Sequence, residues 1–282
     1  MASSRDDRPV QDVEDLEESL RSLDERNKVL HDSLITLGVD YANKIVGDFS
    51  DKKDKIFQLR DRILYRRNSL RFHLTLLLRT HNHAVSELHS EGRDEDVPAG
   101  AMIMDRSAEQ QFAIFDSILF HSISLFDYLG GLIQYLCSSQ NRHKWDWDSA
   151  ATAARHDENK VSNSPVAEVV ERLDKWVTKL YGHRADVIHN EPDLGGRTLS
   201  HDLVQDRYDL KVFAPSGFID QFDELKSLSE THAITLHYVG LWLCKKTVDG
   251  AIRVIQGLRD HLEQNREVPP EDEPIKFKPP EE

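Results

Sequence analysis

Hydrophobic residues recur at intervals of three and four along most of the chain, which is the spacing that places them on one face of an α-helix. Residues 92–104 are polar, with Pro98 and Gly100, and predict a loop. Residues 139–163 predict a connector with one short helix. The predicted helices cover residues 11–47, 51–91, 105–138, 164–191 and 219–263, the last as a short helix followed by a long one. The sequence therefore predicts an all-α protein, an antiparallel helical bundle of four or five long helices.

Three local signals refine this prediction. Ser164-Pro165 places a capping residue and a proline at the start of a helix. Gly130-Gly131, inside the most apolar helix, either lets a neighbour approach closely or bends the helix. Two short alternating runs follow Gly195-Gly196 and predict a small β-hairpin near residues 200–213.

The domain organisation follows from these elements. Residues 11–91 are expected to form an N-terminal helical hairpin. Residues 105–265 are expected to form the bundle core, packed with residues 51–91 as one domain. Residues 1–10 and the acidic, proline-rich residues 266–282 are predicted to be disordered, because such sequences bury too little apolar surface to fold.

The composition indicates a soluble globular protein, with 39% hydrophobic and 30% charged residues. Charges or histidines interrupt the apolar stretches, so no membrane span of about 20 residues is expected. MASSRDDRPV at the N-terminus has no apolar core, so a secretory signal is not expected either. Cys137 and Cys244 lie in apolar runs outside any redox or metal motif. These features favour a cytoplasmic protein with buried, reduced thiols.

The formal net charge of −14 means that the protein repels nucleic acid on average, so a nucleic-acid site requires a local basic patch. One cluster of basic residues meets that requirement, and it comprises Lys52, Lys53, Lys55, Arg60, Arg62, Arg66, Arg67 and Arg71. Two interpretations remain open. The cluster is either a track for the phosphate backbone of RNA, through Arg60, Arg66, Arg67 and Arg71, or a helix face paired with the acidic helix at residues 11–26.

The segment YGHRADVIHN, residues 181–190, contains a cation in an apolar helix stripe. Counting back from Arg184 in helical steps reaches Leu180, Val177, Leu173, Val170 and Val166. An unpaired guanidinium is very costly to bury. Arg184 is therefore expected to meet a carboxylate, backbone carbonyls or an anion that binds reversibly.

Arg184 and His189 together suit phosphate chemistry. A guanidinium holds a phosphate through two parallel hydrogen bonds, and an imidazole transfers protons near neutral pH. Cleavage of RNA by its own 2′-hydroxyl needs little more than these groups and no metal ion. A structural alternative is that Arg184 pairs with an Asp or Glu at the edge of the core and that His189 is a polar helix terminus.

The combination of an all-α bundle with Arg-x4-His near the end of a late helix resembles the HEPN superfamily. The preceding segment LFDYLGGLIQYL, residues 125–136, is similar to the helix that packs against the motif in that family. The resemblance covers residues 105–191. Ala185 departs from the family pattern, in which a polar residue commonly follows the arginine. Asp186 and Asn190 supply polar groups nearby.

The resemblance implies a metal-independent endoribonuclease or an RNA-binding protein, acting in phage defence, in a toxin–antitoxin pair or in RNA processing. Arg184 would bind the scissile phosphate and His189 would transfer a proton. Asp186 and Asn190 would support them, and Asp127 on the neighbouring helix would orient Arg184. The family's sites form where two copies meet, so a homodimer is expected, with RNA and an antitoxin-like protein as further partners.

Other candidate features have less specific interpretations. His83 and Glu87 have the spacing of two metal ligands, but no third ligand is evident, so neither a metal nor a cofactor is expected. Trp145 and Trp147 either stack on bases or pin the connector to the bundle. Two rival functions remain, a non-catalytic helical scaffold with Arg184 in a structural ion pair and an acidic inhibitor that mimics nucleic acid.

Overall fold

The computed structural model describes residues 8–11, 16–44, 55–91, 97–137, 146–156, 159–189, 195–202 and 207–265. Within these ranges the protein is all-α apart from four short strands, as the hydrophobic spacing predicts. The helices are α1 (Leu16–Lys44), α2 (Lys55–Glu91), α3 (Val97–Cys137), α4 (Trp147–Arg155), α5 (Val166–His189), α6 (Ser216–Ile219), α7 (Asp223–Ser229) and α8 (Leu236–Gln264). The strands are β1 (Val10–Gln11), β2 (Arg197–Asp202), β3 (Arg207–Val212) and β4 (Ala233–Ile234).

The chain is divided into two compact units, each made of separate parts of the sequence. The first unit comprises Met1–Leu23, Asn68–Ser122 and Lys179–Lys246. The second unit comprises Asp24–Arg67, Ile123–Thr178 and Thr247–Glu282. Each unit therefore gathers three separate parts of the sequence.

The first unit contains the predicted β-hairpin. Strands β2 and β3 pair antiparallel in register from Arg197 opposite Val212 to Asp202 opposite Arg207. The hairpin packs on α2 and α3 through Leu210, which is buried with Leu88 and Ile103. Arg197 adds an ion pair to Asp105 on α3, with 2.7 Å between Nε and the carboxylate oxygen. The alternation is clearest in β3, which buries Leu210 and Val212 on one face, whereas β2 has no buried residue.

Three predicted boundaries in the first unit are wrong. Residues 8–10 were predicted to be disordered, yet Val10 pairs in a parallel strand with Ala233, and the Ala233 N–H donates to the Pro9 carbonyl at 2.8 Å. Gln11, where the predicted helix begins, lies in strand β1, and the helix that the structure describes is Leu16–Lys44. The predicted loop at 92–104 is helical from Val97. Pro98 is compatible with this because the first turn of a helix has no internal partner for its N–H groups.

Helix α3 contains the described segment that bears on the expected absence of a membrane span. Its segment Gly100–Cys137 is long and apolar enough to cross a membrane, by length and composition alone. Within the described part of the chain, 56% of that apolar window is buried inside the protein. Such burial is typical of the central helix of a bundle, which is apolar on nearly every face.

The second unit is organised around Trp147, the first residue of α4. Its ring is 1% exposed and packs edge-on against Phe126, with centroids 5.0 Å apart. Its indole N–H donates to Asp174 on α5 at 3.0 Å, and Asp174 also forms an ion pair with Arg155. Of the two interpretations of the connector tryptophans, the structure supports pinning for Trp147. Trp145 lies outside the described residues.

Gly130 allows the start of α4 to approach α3 closely. A Cβ at this position would lie 2.3 Å from the Asp146 carbonyl oxygen and 2.8 Å from the Trp147 nitrogen. Asp146 caps α4, because its carboxylate accepts a hydrogen bond from the Ser149 N–H. Of the two roles predicted for the glycine pair, the structure therefore supports close approach at Gly130.

We expect Gly130→Ala to lower the free energy of unfolding by about 3 kcal/mol, because the obstructing atoms belong to a capped backbone that must shift. Gly182→Ala is the matched control, since a Cβ there meets nothing within 4 Å. Alanine at position 182 should stabilise α5 by up to about 1 kcal/mol. Urea titration followed by circular dichroism measures both effects. Equal stability of the two variants would contradict the close-approach interpretation.

Candidate functional site

Among the α5 side chains that the structure describes, the last buried one is His183, and Arg184 is not buried. Buried positions along the helix recur at three- and four-residue steps, and they are Val166, Val170, Asp174, Val177, Leu180 and His183. Leu173, which the spacing placed in the stripe, is only half-buried. Arg184 is also half-buried, at the margin of the stripe. Arg184 was placed in the apolar stripe by the spacing, and in the structure the stripe position is taken by its neighbour His183.

The guanidinium of Arg184 lies over the ring of Phe120 on α3. The distance from Cζ to the ring centroid is 5.2 Å, and Phe120 is 38% exposed. Within the described ranges no ion pair of Arg184 is formed. A cation over an exposed ring keeps part of its hydration. The guanidinium therefore stays available to an anion from solution.

Phe120 belongs to a row of rings that joins α2 to α3. Phe72 packs edge-on against His73 with centroids 5.2 Å apart, and His73 lies 4.9 Å from His121. His121 in turn lies 5.3 Å from Phe120. We call Phe72, His73, His121, Phe120 and Arg184 the aromatic–cation strip. All five residues belong to the first unit.

The strip is open to solvent at several places along its length. Phe72 is 62% exposed and Phe120 is 38% exposed, whereas His73 is half-buried and His121 is 8% exposed. Exposed aromatic faces beside a cation suit a flexible ligand that carries both rings and negative charge. Single-stranded nucleic acid has this chemistry.

The hydrogen bond of His73 fixes its neutral tautomer. Its Nδ1 lies 2.8 Å from the carbonyl oxygen of Ser69, one turn earlier on α2. Because a carbonyl oxygen only accepts, Nδ1 carries the proton and donates it. The neutral ring therefore keeps its lone pair on Nε2, which can accept a proton or bind a metal ion.

The other residues of the predicted Arg-x4-His site do not all lie near Arg184 in the described part of the structure. Asp186 is exposed on α5, two residues after Arg184. His189 is the last residue of α5, but its side chain lies outside the described residues, as does all of Asn190. Asp127 belongs to the second unit, where it accepts a hydrogen bond from the Trp147 N–H at 3.4 Å. A role for Asp127 in orienting Arg184 stays a prediction.

The predicted RNA-binding arginines are divided between the two units, with Arg71 exposed on α2 in the first. In the second unit, Arg60 pairs with Asp61, and Arg66 lies over the Tyr128 ring at 5.7 Å. Arg67 donates to the carbonyl of Asn27 on α1 at 2.9 Å.

Burial lowers the pKa of Arg67, against a smaller opposing effect from Asp32. Arg67 thus links α2 to α1 through a backbone carbonyl, and pairing of the basic cluster with the acids of residues 11–26 stays a prediction. Lys52 and Lys53 lie outside the described residues.

The His83 and Glu87 pair does not gain support as a metal site. Glu87 forms an ion pair with Arg106 on α3, which occupies its carboxylate. Among the described residues, no group of three or more His, Cys, Asp or Glu side chains is arranged to hold a metal ion.

Three residues of the first unit were missed by the sequence-based prediction. Phe120 and His121 lie within the apolar run of α3, where the spacing indicates core, and His183 lies next to Arg184 in the motif segment. His183 packs edge-on against Phe218 with centroids 4.8 Å apart. Its three-residue step from Leu180 is the one signal that could have identified it as the buried residue.

Comparison of the chain with models of protein families, with curated protein sequences and with solved structures finds no match. The HEPN resemblance therefore depends on the bundle, on the segment 125–136 and on the Arg184 and His189 spacing.

Proposed function

We propose that the first unit binds RNA on the aromatic–cation strip and is a HEPN-like, metal-independent endoribonuclease. Arg184 holds a phosphate group, Phe120 and Phe72 stack on bases, and His189 transfers a proton. The single observation that supports this most directly is the half-exposed guanidinium of Arg184 over the exposed ring of Phe120.

The arrangement favours RNA over a compact anion for a physical reason. The strip has two exposed rings on separate helices and one arginine, so its apolar surface exceeds its charge. Stacking of a base on an aromatic ring contributes about 1–3 kcal/mol to the free energy of binding. The contact of a cation with a phosphate group, by contrast, is weakened by salt. In a protein of net charge −14, stacking compensates for the long-range repulsion of the nucleic acid.

The proposed reaction is transesterification within the RNA. The 2′-hydroxyl oxygen attacks the adjacent phosphorus and its proton passes to a base. The bond from phosphorus to the 5′ oxygen breaks, and that oxygen takes a proton from an acid. His189 fills one of these two roles, and Arg184 stabilises the charge that develops on the phosphoryl oxygens. The products are a 2′,3′-cyclic phosphate and a 5′-hydroxyl end.

The test is incubation of purified protein with a mixed single-stranded RNA in EDTA. We expect cleavage to cyclic-phosphate ends, reduced by about 100-fold or more in His189→Ala, because general acid–base catalysis contributes that much. His83→Ala is the control, since His83 is an exposed histidine on α2 outside the strip. The expected dimer is measured in the same preparation by light scattering, with and without RNA.

Two outcomes of this assay separate the alternatives. Binding without cleavage would remove His189 from the mechanism and leave an RNA-binding protein. A folded protein that neither binds nor cleaves RNA would overturn the proposal and favour the scaffold function. The scaffold has one observation in its favour, the exposed apolar side chains of Phe72 and Leu76 one turn apart on α2.

A further inference from the structure

The second unit contains a cavity of about 650 Å³, which lies where the ends of α1, α3 and α8 meet the segment before α5. This volume is in the range of small-molecule sites, about 300–1,000 Å³. We propose that the cavity binds a small aromatic carboxylate whose ring carries a hydroxyl group. The site is independent of the proposed ribonuclease, because all of its lining residues belong to the second unit and the aromatic–cation strip belongs to the first.

The charge of the lining favours an anion with a single negative charge. Lys160 is exposed, and none of the other described residues that line the cavity is a lysine, an arginine or an acid. In a protein of net charge −14, such a lining is a local exception to the repulsion of anions. One ammonium group balances a carboxylate better than a phosphate monoester, which carries about two charges. An ammonium group has three N–H donors, so Lys160 can bind a carboxylate beside a contact that it makes within the protein.

His261 lines the cavity without adding a second positive charge. Burial lowers the pKa of its imidazole, against a smaller opposing effect of the hydrogen bond to the Leu136 carbonyl. The Asn265 Nδ2 group donates to His261 Nδ1 at 3.2 Å and to the His261 carbonyl at 2.8 Å. The ring proton is therefore on Nε2, which donates to the Leu136 carbonyl. Both nitrogens are occupied, so the neutral imidazole joins α8 to α3 and leaves Lys160 as the cation of the cavity.

Two tyrosine rings supply an aromatic surface for the ligand. Tyr41 on α1 and Tyr135 on α3 have ring centroids 5.7 Å apart, with the ring planes tilted by 51°. The Tyr41 hydroxyl donates to the Tyr135 hydroxyl at 3.2 Å, which holds the two rings at this angle. Aromatic rings in tilted or offset contact contribute about 0.5–1.5 kcal/mol beyond the burial of their area. The lining therefore favours a planar aromatic acid over a flexible aliphatic one.

Three amide side chains favour a ring that also carries a hydroxyl group. Asn163 and Gln264 are exposed at the cavity, and their amides form no hydrogen bond with other described residues. The amide oxygen of Asn265 accepts none from the described residues either, because both of its printed bonds are made by the nitrogen. An amide both donates and accepts, as a phenolic hydroxyl does, so the two groups match in either direction.

The test is calorimetric titration of the full chain with 4-hydroxybenzoate and with 6-hydroxy-2-naphthoate, which has the same groups on two fused rings. We expect one acid to bind per chain. Two probes separate the contributions of the ligand, because 4-hydroxybenzyl alcohol keeps the ring without the charge and acetate keeps the charge without the ring. Each should bind at least about tenfold more weakly than 4-hydroxybenzoate, which corresponds to 1.4 kcal/mol.

Lys160→Gln should weaken binding of 4-hydroxybenzoate by at least about tenfold and leave binding of the alcohol unchanged, since the alcohol has no charge to pair. A merely structural lysine would change the two affinities together. Asn163→Ala should weaken both aromatic probes. Lys175→Gln is the matched control, because Lys175 is an exposed lysine of α5 in the same unit and does not line the cavity.

Circular dichroism checks that each variant folds, and Lys160→Met replaces Lys160→Gln if that variant does not. The proposal is overturned if the acids bind no better than the alcohol, if Lys160→Gln binds them normally, or if their dissociation constants exceed about 1 mM. RNA cleavage should be unchanged in Lys160→Gln, and 4-hydroxybenzoate should bind normally to Arg184→Ala. Failure of one proposal is therefore distinguishable from failure of the other.

Discussion

Arg184→Ala is expected to reduce RNA cleavage by about 100-fold or more while leaving the fold intact, because removing one donor to a developing oxyanion costs that much. Binding should weaken too, since the guanidinium is the cation of the aromatic–cation strip. The stability cost should stay below about 1 kcal/mol, which is the contribution of a cation over an exposed ring. Initial cleavage rates and thermal unfolding of the same preparation measure the two effects.

Two further variants make this result interpretable. Arg172→Ala removes another arginine of α5, one that is exposed and paired with Glu168, and it should leave cleavage unchanged. Arg184→Lys keeps the charge without the planar fork and should recover only part of the activity. If Arg184→Ala instead destabilises the protein by several kcal/mol and cleaves RNA normally, Arg184 is structural, and the ribonuclease proposal fails.

Trp147→Ala should lower the free energy of unfolding by about 3–5 kcal/mol, the range for removing a buried aromatic side chain. The ring is 1% exposed, fills the space beside Phe126 and bonds Asp174. Its loss leaves a cavity in the second unit. Urea titration with fluorescence detection from the remaining tryptophans measures the change.

Trp147→Phe separates the ring from its hydrogen bond. It keeps most of the aromatic contact and removes the indole N–H, so we expect a smaller loss of about 2 kcal/mol. Asp174 retains the ion pair with Arg155 and a hydrogen bond from Thr178 at 3.2 Å. If Trp147→Ala and Trp147→Phe lower the free energy of unfolding by the same amount, the hydrogen bond, and not the packing of the ring, accounts for most of the contribution of Trp147.

The start of α5 shows how far a local signal is reliable. Ser164-Pro165 predicts a helix start, and α5 begins at Val166. The capping mechanism differs from the prediction, because the Ser164 hydroxyl donates to the Val161 carbonyl at 2.6 Å, towards the preceding turn. The position of a helix end follows from backbone constraints that the sequence contains. The partner of a polar side chain depends on which groups the fold brings near it.

The same distinction explains the candidate site. The helix that carries Arg184 is predictable, but a half-exposed arginine at the margin of its stripe is not, because a shift of one residue changes the facing direction by about 100°. The apolar residues on either side of Phe120 and His121 in the sequence predict that both side chains lie in the core. Their exposure of 38% and 8% is decided by which neighbours cover them.

The sequence by itself determined the all-α class, the approximate extent of α2, α5 and α8 and the β2–β3 hairpin, because these depend on periodicities within one segment. Only the tertiary structure decided the pairing of β1 with β4, the division into two units and the meeting of His73 with His121. These features join residues separated by tens to hundreds of positions. Such contacts form where packing buries the most apolar surface, and a local pattern in the sequence does not predict which distant residues meet.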